Sequence, residues 1–216
     1  MSRFDLSKLD FKGYEVTHQN YQNIEHENEV FHGLTPDKEK CFIKVGRLGL
    51  PDLGERNSFE TEMVFTKLLS DLEIAPKLLS SWTDEINNVG IMAIEAYNTT
   101  YGDYRDTHIY AEDEVLTEAE IEETKDFLIG FAQARKSLHD LINRFHDLGL
   151  VHGDLTSRNI VMKLKDDIPT GEVKLIDFET CYYFNSPPPG RMENICSQFS
   201  NPEEIFDYEL NLLDMD

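Results

Sequence analysis

Basic residues are scarce in this chain. Only 20 Lys and Arg stand against 42 Asp and Glu over 216 residues, a formal charge of −22. That deficit excludes a protein whose main task is gripping DNA or RNA, because such binding rests on cationic side chains that displace the counterions around phosphates. Cysteine is scarcer still: Cys41, Cys181 and Cys196 are an odd number with no C-x-x-C spacing. Neither a disulfide framework nor a zinc site follows from them, and they read as reduced thiols, some of them buried. Long apolar runs are missing as well. The stretch from Met1 to Val16 has no signal-like apolar core, and no segment approaches the roughly 20 apolar residues that span a bilayer. The sequence therefore predicts a soluble intracellular protein, cytoplasmic with the nucleus open, with no membrane and no direct nucleic-acid partner.

What is present suffices for a core. Apolar residues make up 40% and aromatics 11% of the chain, too much for global disorder. The length allows one sizeable core or two small lobes.

Tyr14 to Tyr21, Asn28 to Leu34 and Lys40 to Val45 are rich in β-branched and aromatic residues, and Thr35-Pro36-Asp37 supplies a turn between the last two. They predict two or three antiparallel strands. From Ser58 to Leu72 the period becomes helical, with Glu60, Lys67 and Asp71 on a solvated stripe and Phe65, Leu68, Leu69 and Leu72 on the far side. Glu62 falls beside Leu69, away from the charged stripe, and a carboxylate there needs a partner. Val89 to Tyr97 reads as a further buried strand.

Between Asp103 and Asp126 ten acidic residues face only Arg105 and Lys125. This stretch reads either as a solvated or disordered segment or as a surface that attracts a cationic acceptor. Within it Thr117-Glu118-Ala119-Glu120 has capping-box form and opens a long helix that Gly149 stops. His139 and His146 are expected on the surface of that helix. Asn159 to Leu164 and Val173 to Phe178 predict a hairpin with an extended turn over Lys165 to Gly171. Pro187 to Gly190 reads as irregular, and a last helix is expected from Pro202 to Leu213 with Ile205, Tyr208, Leu212 and Leu213 as its apolar side.

The segment after Gly149 carries the chemistry: His152-Gly153-Asp154, then Asn159, then Asp177-Phe178. Phosphoryl transfer from ATP needs a group that takes the proton of the attacking hydroxyl, oxygen ligands for magnesium, and a cation against the phosphates. Asp154 suits the first role. Asn159 and Asp177 suit the second, because magnesium prefers a few hard oxygen donors from protein.

The pattern H-x-D-x-x-x-x-N followed by D-F resembles the catalytic and metal-binding loops of the protein-kinase-like superfamily. The His-Gly-Asp form is most similar to its small atypical branch, which includes the kinase of the KEOPS tRNA-modification complex, RIO-type kinases, and lipopolysaccharide or aminoglycoside kinases. The resemblance implies that Lys44, in Phe42-Ile43-Lys44-Val45, holds the α- and β-phosphates and that Glu62 holds Lys44. It further implies that backbone groups at Glu95 and Tyr97, in Ile94-Glu95-Ala96-Tyr97, receive the adenine. The implied fold is α+β and two-lobed: a small antiparallel sheet plus helix over residues 1–97 and a reduced helical lobe over 98–216, one kinase-like domain with ATP between the lobes.

Several features depart from the family pattern. No G-x-G-x-x-G occurs between Tyr14 and Leu34, so the phosphate-covering loop is absent or replaced around Tyr21 to Glu27. Glu179 stands where the family has glycine, adding charge near the phosphates. His152-Gly153-Asp154 lacks an arginine and no A-P-E follows Asp177, which argues against control by activation-loop phosphorylation. Only 38 residues follow Phe178.

The expected function is ATP- and Mg2+-dependent phosphotransfer to a hydroxyl, on protein Ser or Thr. The acceptor is a basic protein or a cationic small molecule. The alternatives are a small-molecule kinase of the aminoglycoside or lipopolysaccharide type and a pseudokinase binding module.

Overall fold

The computed structural model describes residues 4–20, 28–49, 58–108, 118–186 and 201–215. Among them the protein is α+β, every described strand pair is antiparallel, and the chain divides into two units, Met1–Ala96 and Tyr97–Asp216. No described helix is long and apolar enough to cross a membrane. The expected replacement loop at 21–27, the Thr117 cap, Pro187 to Gly190 and Cys196 lie outside the described residues.

In the first unit, Glu15–Asn20 (β1), Glu29–Leu34 (β2), Lys40–Arg47 (β3), Leu78–Asp84 (β4) and Val89–Glu95 (β5) form one sheet in the order β1-β2-β3-β5-β4. The turn between β2 and β3 closes by a bond from the Lys38 N–H to the Thr35 carbonyl at 2.9 Å. Alternate residues of a strand point to opposite faces. Phe31, Cys41, Ile43, Val45, Val89 and Ile91 therefore share one face, which Phe4, Leu6, Leu9, Phe11 and Tyr14 cover together with Trp82. The Trp82 indole N–H fastens this cover by donating to the Asp10 carbonyl at 2.8 Å. Burial pushes the Cys41 thiol up from its ordinary value, so the group stays protonated and inert.

Lys44, between Ile43 and Val45, falls on the opposite face, where helix α1 (Phe59–Asp71) packs. Ser58 caps α1 by accepting from the Thr61 N–H at 3.3 Å. Phe59, Glu62, Phe65, Thr66 and Leu69 are its buried residues, so Glu62 lies near the middle of the buried arc and not at its edge. Leu72, expected inside, is 39% exposed because the helix ends there and Ile74 and Ala75 take the buried places.

The seat of α1 is paved with glycine. Gly46 and Gly90 are cross-strand partners, and a Cβ on either would lie 2.3 or 2.7 Å from the Phe59 ring. This close approach lets the first turn of α1 rest on backbone, which delivers Glu62 to the level of Lys44.

In the second unit, Thr99–Thr100 (β6) leads into α2 (Tyr101–His108) and, after the undescribed residues, α3 (Glu118–Asp147). There follow Leu150–Val151 (β7), Ile160–Lys165 (β8), Ile168–Leu175 (β9), Tyr182–Tyr183 (β10) and α4 (Pro202–Met215). The sheets are β6-β8-β9 and the pair β10-β7. Helix α3 lies along β9 and buries Ala134, Leu138, Leu141, Ile142 and Phe145.

The β8–β9 turn is tighter than the extended Lys165 to Gly171 loop that its proline and glycine suggested. Asp166 and Asp167 alone form it, with φ of 53° and 62°, the left-handed pair that a two-residue hairpin requires. Pro169 fits within β9 because this strand is the edge of its sheet and the register shifts opposite it.

The start of the acidic stretch is not a disordered insert. Tyr101, Gly102 and Tyr104 of α2 are buried, and the Tyr104 ring stacks on Phe127 with centroids 5.1 Å apart. The Tyr104 hydroxyl donates to the Asp167 carbonyl at 3.0 Å. Burial, assisted by the Asp167 charge, pushes its pKa up to about 12. Residues 109–117, the centre of that stretch, lie outside the described residues.

Candidate active site

Lys44 and Glu62 are brought together in the first unit. The Lys44 Nζ donates to Glu62 Oε1 at 2.5 Å, with side chains only 10% and 2% exposed. Asn28 Nδ2 stands 3.4 Å from the other oxygen, Glu62 Oε2. Taking two charges this far from water is expensive, and the pair persists because each ion satisfies the other and Asn28 approaches the remaining oxygen. Glu60, two positions earlier on the helix, instead accepts from the Gly49 N–H at 2.6 Å.

Glu95 ends β5, and its N–H is already committed to the Lys77 carbonyl at 2.9 Å. That narrows the expected adenine contact at this residue to its carbonyl. Tyr97 opens the second unit. Its hydroxyl donates to Glu172 Oε1 at 2.7 Å, and Lys163 Nζ lies 3.0 Å from the same oxygen and 4.9 Å from the Tyr97 ring centre. Burial pushes the Glu172 carboxyl up, but the bonds from Tyr97 and Lys163 and the charges of Lys163 and Lys174 outweigh it and hold the group below its ordinary value.

The His152-Gly153-Asp154 turn is fixed from several sides. Helix α3 ends when the Gly149 N–H bonds the His146 carbonyl at 2.7 Å, and β7 then carries the chain to His152 through the Val151–Tyr182 pairing. His152 is fully buried near the rings of Phe145 and Phe178. Its Nε2 lies 3.0 Å from the Ile176 carbonyl, which can only accept, so the ring proton sits on Nε2. Gly153 has φ of +78°, and a Cβ there would stand 2.8 Å from the Thr180 carbonyl oxygen. Both the backbone angle and the close approach demand glycine. Thr180 completes the contact by donating its hydroxyl to the His152 carbonyl at 2.7 Å.

Asp154 follows as an exposed side chain. Asn159 Nδ2 donates to its backbone carbonyl at 2.8 Å and to its Oδ2 at 3.0 Å. Spending the amide nitrogen on Asp154 leaves the amide oxygen of Asn159 as the atom a cation would use. The Asn159 carbonyl accepts from the Ile176 N–H at 2.9 Å, which ties Asn159 to the residue preceding Asp177. Asp177 is in the left-handed region, φ 65° and ψ 67°, an uncommon state for a non-glycine residue. The carboxylates of Asp177 and Glu179 offer oxygens within 4.8 Å of each other. An amide oxygen and neighbouring carboxylates are the hard donors that magnesium accepts, so the residues fit that ion.

No protein-family model matches this chain, and no curated protein matches it.

Two site features went unread in the sequence. His146, expected on the surface, is buried and lies 2.9 Å from Glu209 Oε2, stacked on Phe206 at 4.1 Å. Helix α4 buries Ile205 and Glu209 while Tyr208, expected inside, is 44% exposed. The signal available was weak: a glutamate four residues after Ile205 shares its face, but nothing in α4 names the donors it meets.

Proposed function

We propose that the protein is an ATP- and magnesium-dependent phosphotransferase with a two-lobed protein-kinase-like fold, the lobes being the two units. The observation that supports this most is the buried Lys44–Glu62 pair. A folded unit gains little stability from a desolvated ion pair over apolar residues of the same size, so its presence points to a use for the lysine charge. In this reading Glu62 holds Lys44, and Lys44 takes the α- and β-phosphates. Asp154 accepts the proton of the attacking hydroxyl, with its carboxylate aimed by the Asn159 amide. Asn159 and Asp177 hold magnesium, with Glu179 beside them, and the ion would neutralise phosphate charge. Glu95 and Tyr97 contribute backbone groups for adenine, and the acceptor is a hydroxyl on a basic protein or a cationic small molecule.

The charge of Glu179 next to Asp177 favours one competing reading, a binding module that takes no nucleotide. Thermal unfolding with ATP, with and without magnesium, separates the two. A magnesium-dependent rise in Tm that Asp177→Ala removes supports the phosphotransferase; no shift with either favours the module.

A further inference from the structure

We infer that Asn28 is a positioning residue for the proposed reaction: its side-chain amide fixes the Glu62 carboxylate and thereby aims the Lys44 ammonium. The inference rests on the reading of Lys44 as the cation that holds the phosphates. Asn28 is half-buried and immediately precedes β2. Lys44 Nζ donates to Glu62 Oε1 at 2.5 Å, and Asn28 Nδ2 stands 3.4 Å from Oε2. A carboxylate only accepts, so it is the NH2 end of the amide that faces it. The terminal torsion of a glutamate is broad and roughly two-fold, so a donor at one oxygen alone leaves the carboxylate plane loosely set. A donor at each oxygen sets that plane and keeps Oε1 on Lys44.

The fold makes a place for this amide. Lys44 and Gly46 share one face of β3, and the pairing of Glu29 with Val45 brings Asn28 alongside Gly46. A Cβ on Gly46 would lie 2.4 Å from Asn28 Oδ1, as well as 2.3 Å from the Phe59 ring. The bare backbone at Gly46 therefore accommodates two things at once: the first turn of α1, which carries Glu62, and the side chain that meets Glu62 there. Attachment of α1 is separately served by the Ser58 cap and by buried Phe59, Phe65 and Leu69. The neutrality of Asn28 suits the task. A second cation at Oε2 would compete with Lys44 for Glu62, and an anion there would compete with phosphate for Lys44. An amide orients the carboxylate and does neither.

The test uses the full chain at about pH 8, with steady-state transfer from Mg-ATP and hydrogen exchange of the Lys44 ammonium followed by NMR. Asn28→Asp keeps the size of the side chain but sets a carboxylate against Glu62, where like charges repel. It should lower kcat/KM for ATP by about 10- to 100-fold, because a shift of the order of 1 Å at a group that holds substrate is enough for such a loss. Asn28→Ala removes the donor without adding charge and should lose less, about 3- to 10-fold. Exchange at Lys44 should quicken in both variants, by at least about threefold and most in Asn28→Asp, as the pair opens more often. Ser58→Ala, which loosens the first turn of α1 without touching Oε2, should leave kcat/KM within about threefold below its own melting temperature. If Asn28→Asp does not fold, Asn28→Leu, which keeps the size and has no donor, should match Asn28→Ala in both readouts. A filler of space would give the opposite order, with Asn28→Asp or Asn28→Leu like the wild type and Asn28→Ala impaired, and that order would overturn the inference. Unchanged exchange, unchanged kcat/KM, or an equal loss in Ser58→Ala would overturn it as well. If the wild-type chain transfers no phosphate, the kinase reading falls while exchange at Lys44 still decides whether Asn28 holds the pair.

Discussion

Breaking the Lys44–Glu62 pair from one side should cost far more than removing both partners. At 2.5 Å and an effective dielectric of about 20, the gross attraction is about 7 kcal/mol. Desolvating each ion takes back several kcal/mol, so little of that attraction survives as net stability. A lone survivor keeps its desolvation cost and loses its partner. Lys44→Met leaves the Glu62 carboxylate at 2% exposure without the cation at its Oε1, and Glu62→Leu takes from Lys44 the carboxylate it donates to. Each single change should destabilise by about 3–5 kcal/mol, whereas the double change Lys44→Met/Glu62→Leu should lose no more than about 2 kcal/mol. Urea unfolding of all four proteins closes the cycle, and a 3–5 kcal/mol loss corresponds to roughly 6–20 °C in Tm. Single variants that each lose under about 1 kcal/mol, as solvent-exposed pairs do, would refute the burial argument. On the functional side, the double variant should fold and yet fail to turn over ATP.

Two other outcomes follow from the second unit. Gly153→Ala must leave the +78° region and push the Thr180 carbonyl aside, so it should destabilise by at least about 1–3 kcal/mol in urea unfolding; a loss below about 0.5 kcal/mol would contradict the strained turn. Glu172 has its folded pKa held below the ordinary 4.5, so its contribution is present above that value and is lost as pH falls through the folded pKa. Between about pH 5 and 3, Glu172→Gln should therefore lose less Tm than the wild type, and parallel curves would rule the linkage out.

Legibility in the sequence followed the range of the interactions. Glu62 was readable because a helical wheel alone puts a carboxylate among apolar residues, and burial then demands a cation. The wheel placed it at the edge of the apolar side; the Gly46–Gly90 floor under Phe59 moved it to the middle of the buried arc. The strands β8 and β9 were readable from their apolar runs. Their turn was not, because Pro169 and Gly171 carry loop signals that an edge strand tolerates. Tyr208 was misjudged and Glu209 went unread for a long-range reason. Periodicity assumes that a buried face is apolar, while the donors that satisfy Glu209 lie 56, 57 and 63 positions away. One of those bonds, from His146 Nε2, together with the stacked Phe206 ring, accompanies the burial of a residue expected on the surface.

The central claim is tested most directly by the transfer of labelled phosphate from Mg-ATP to a basic protein acceptor, measured on the wild type beside Asp154→Asn. Asn keeps the size of Asp154 and loses the proton-accepting charge. The account predicts magnesium-dependent labelling in the wild type and a rate lower by about 10² to 10⁴ in Asp154→Asn, with ATP binding retained. Equal labelling by both proteins would contradict it.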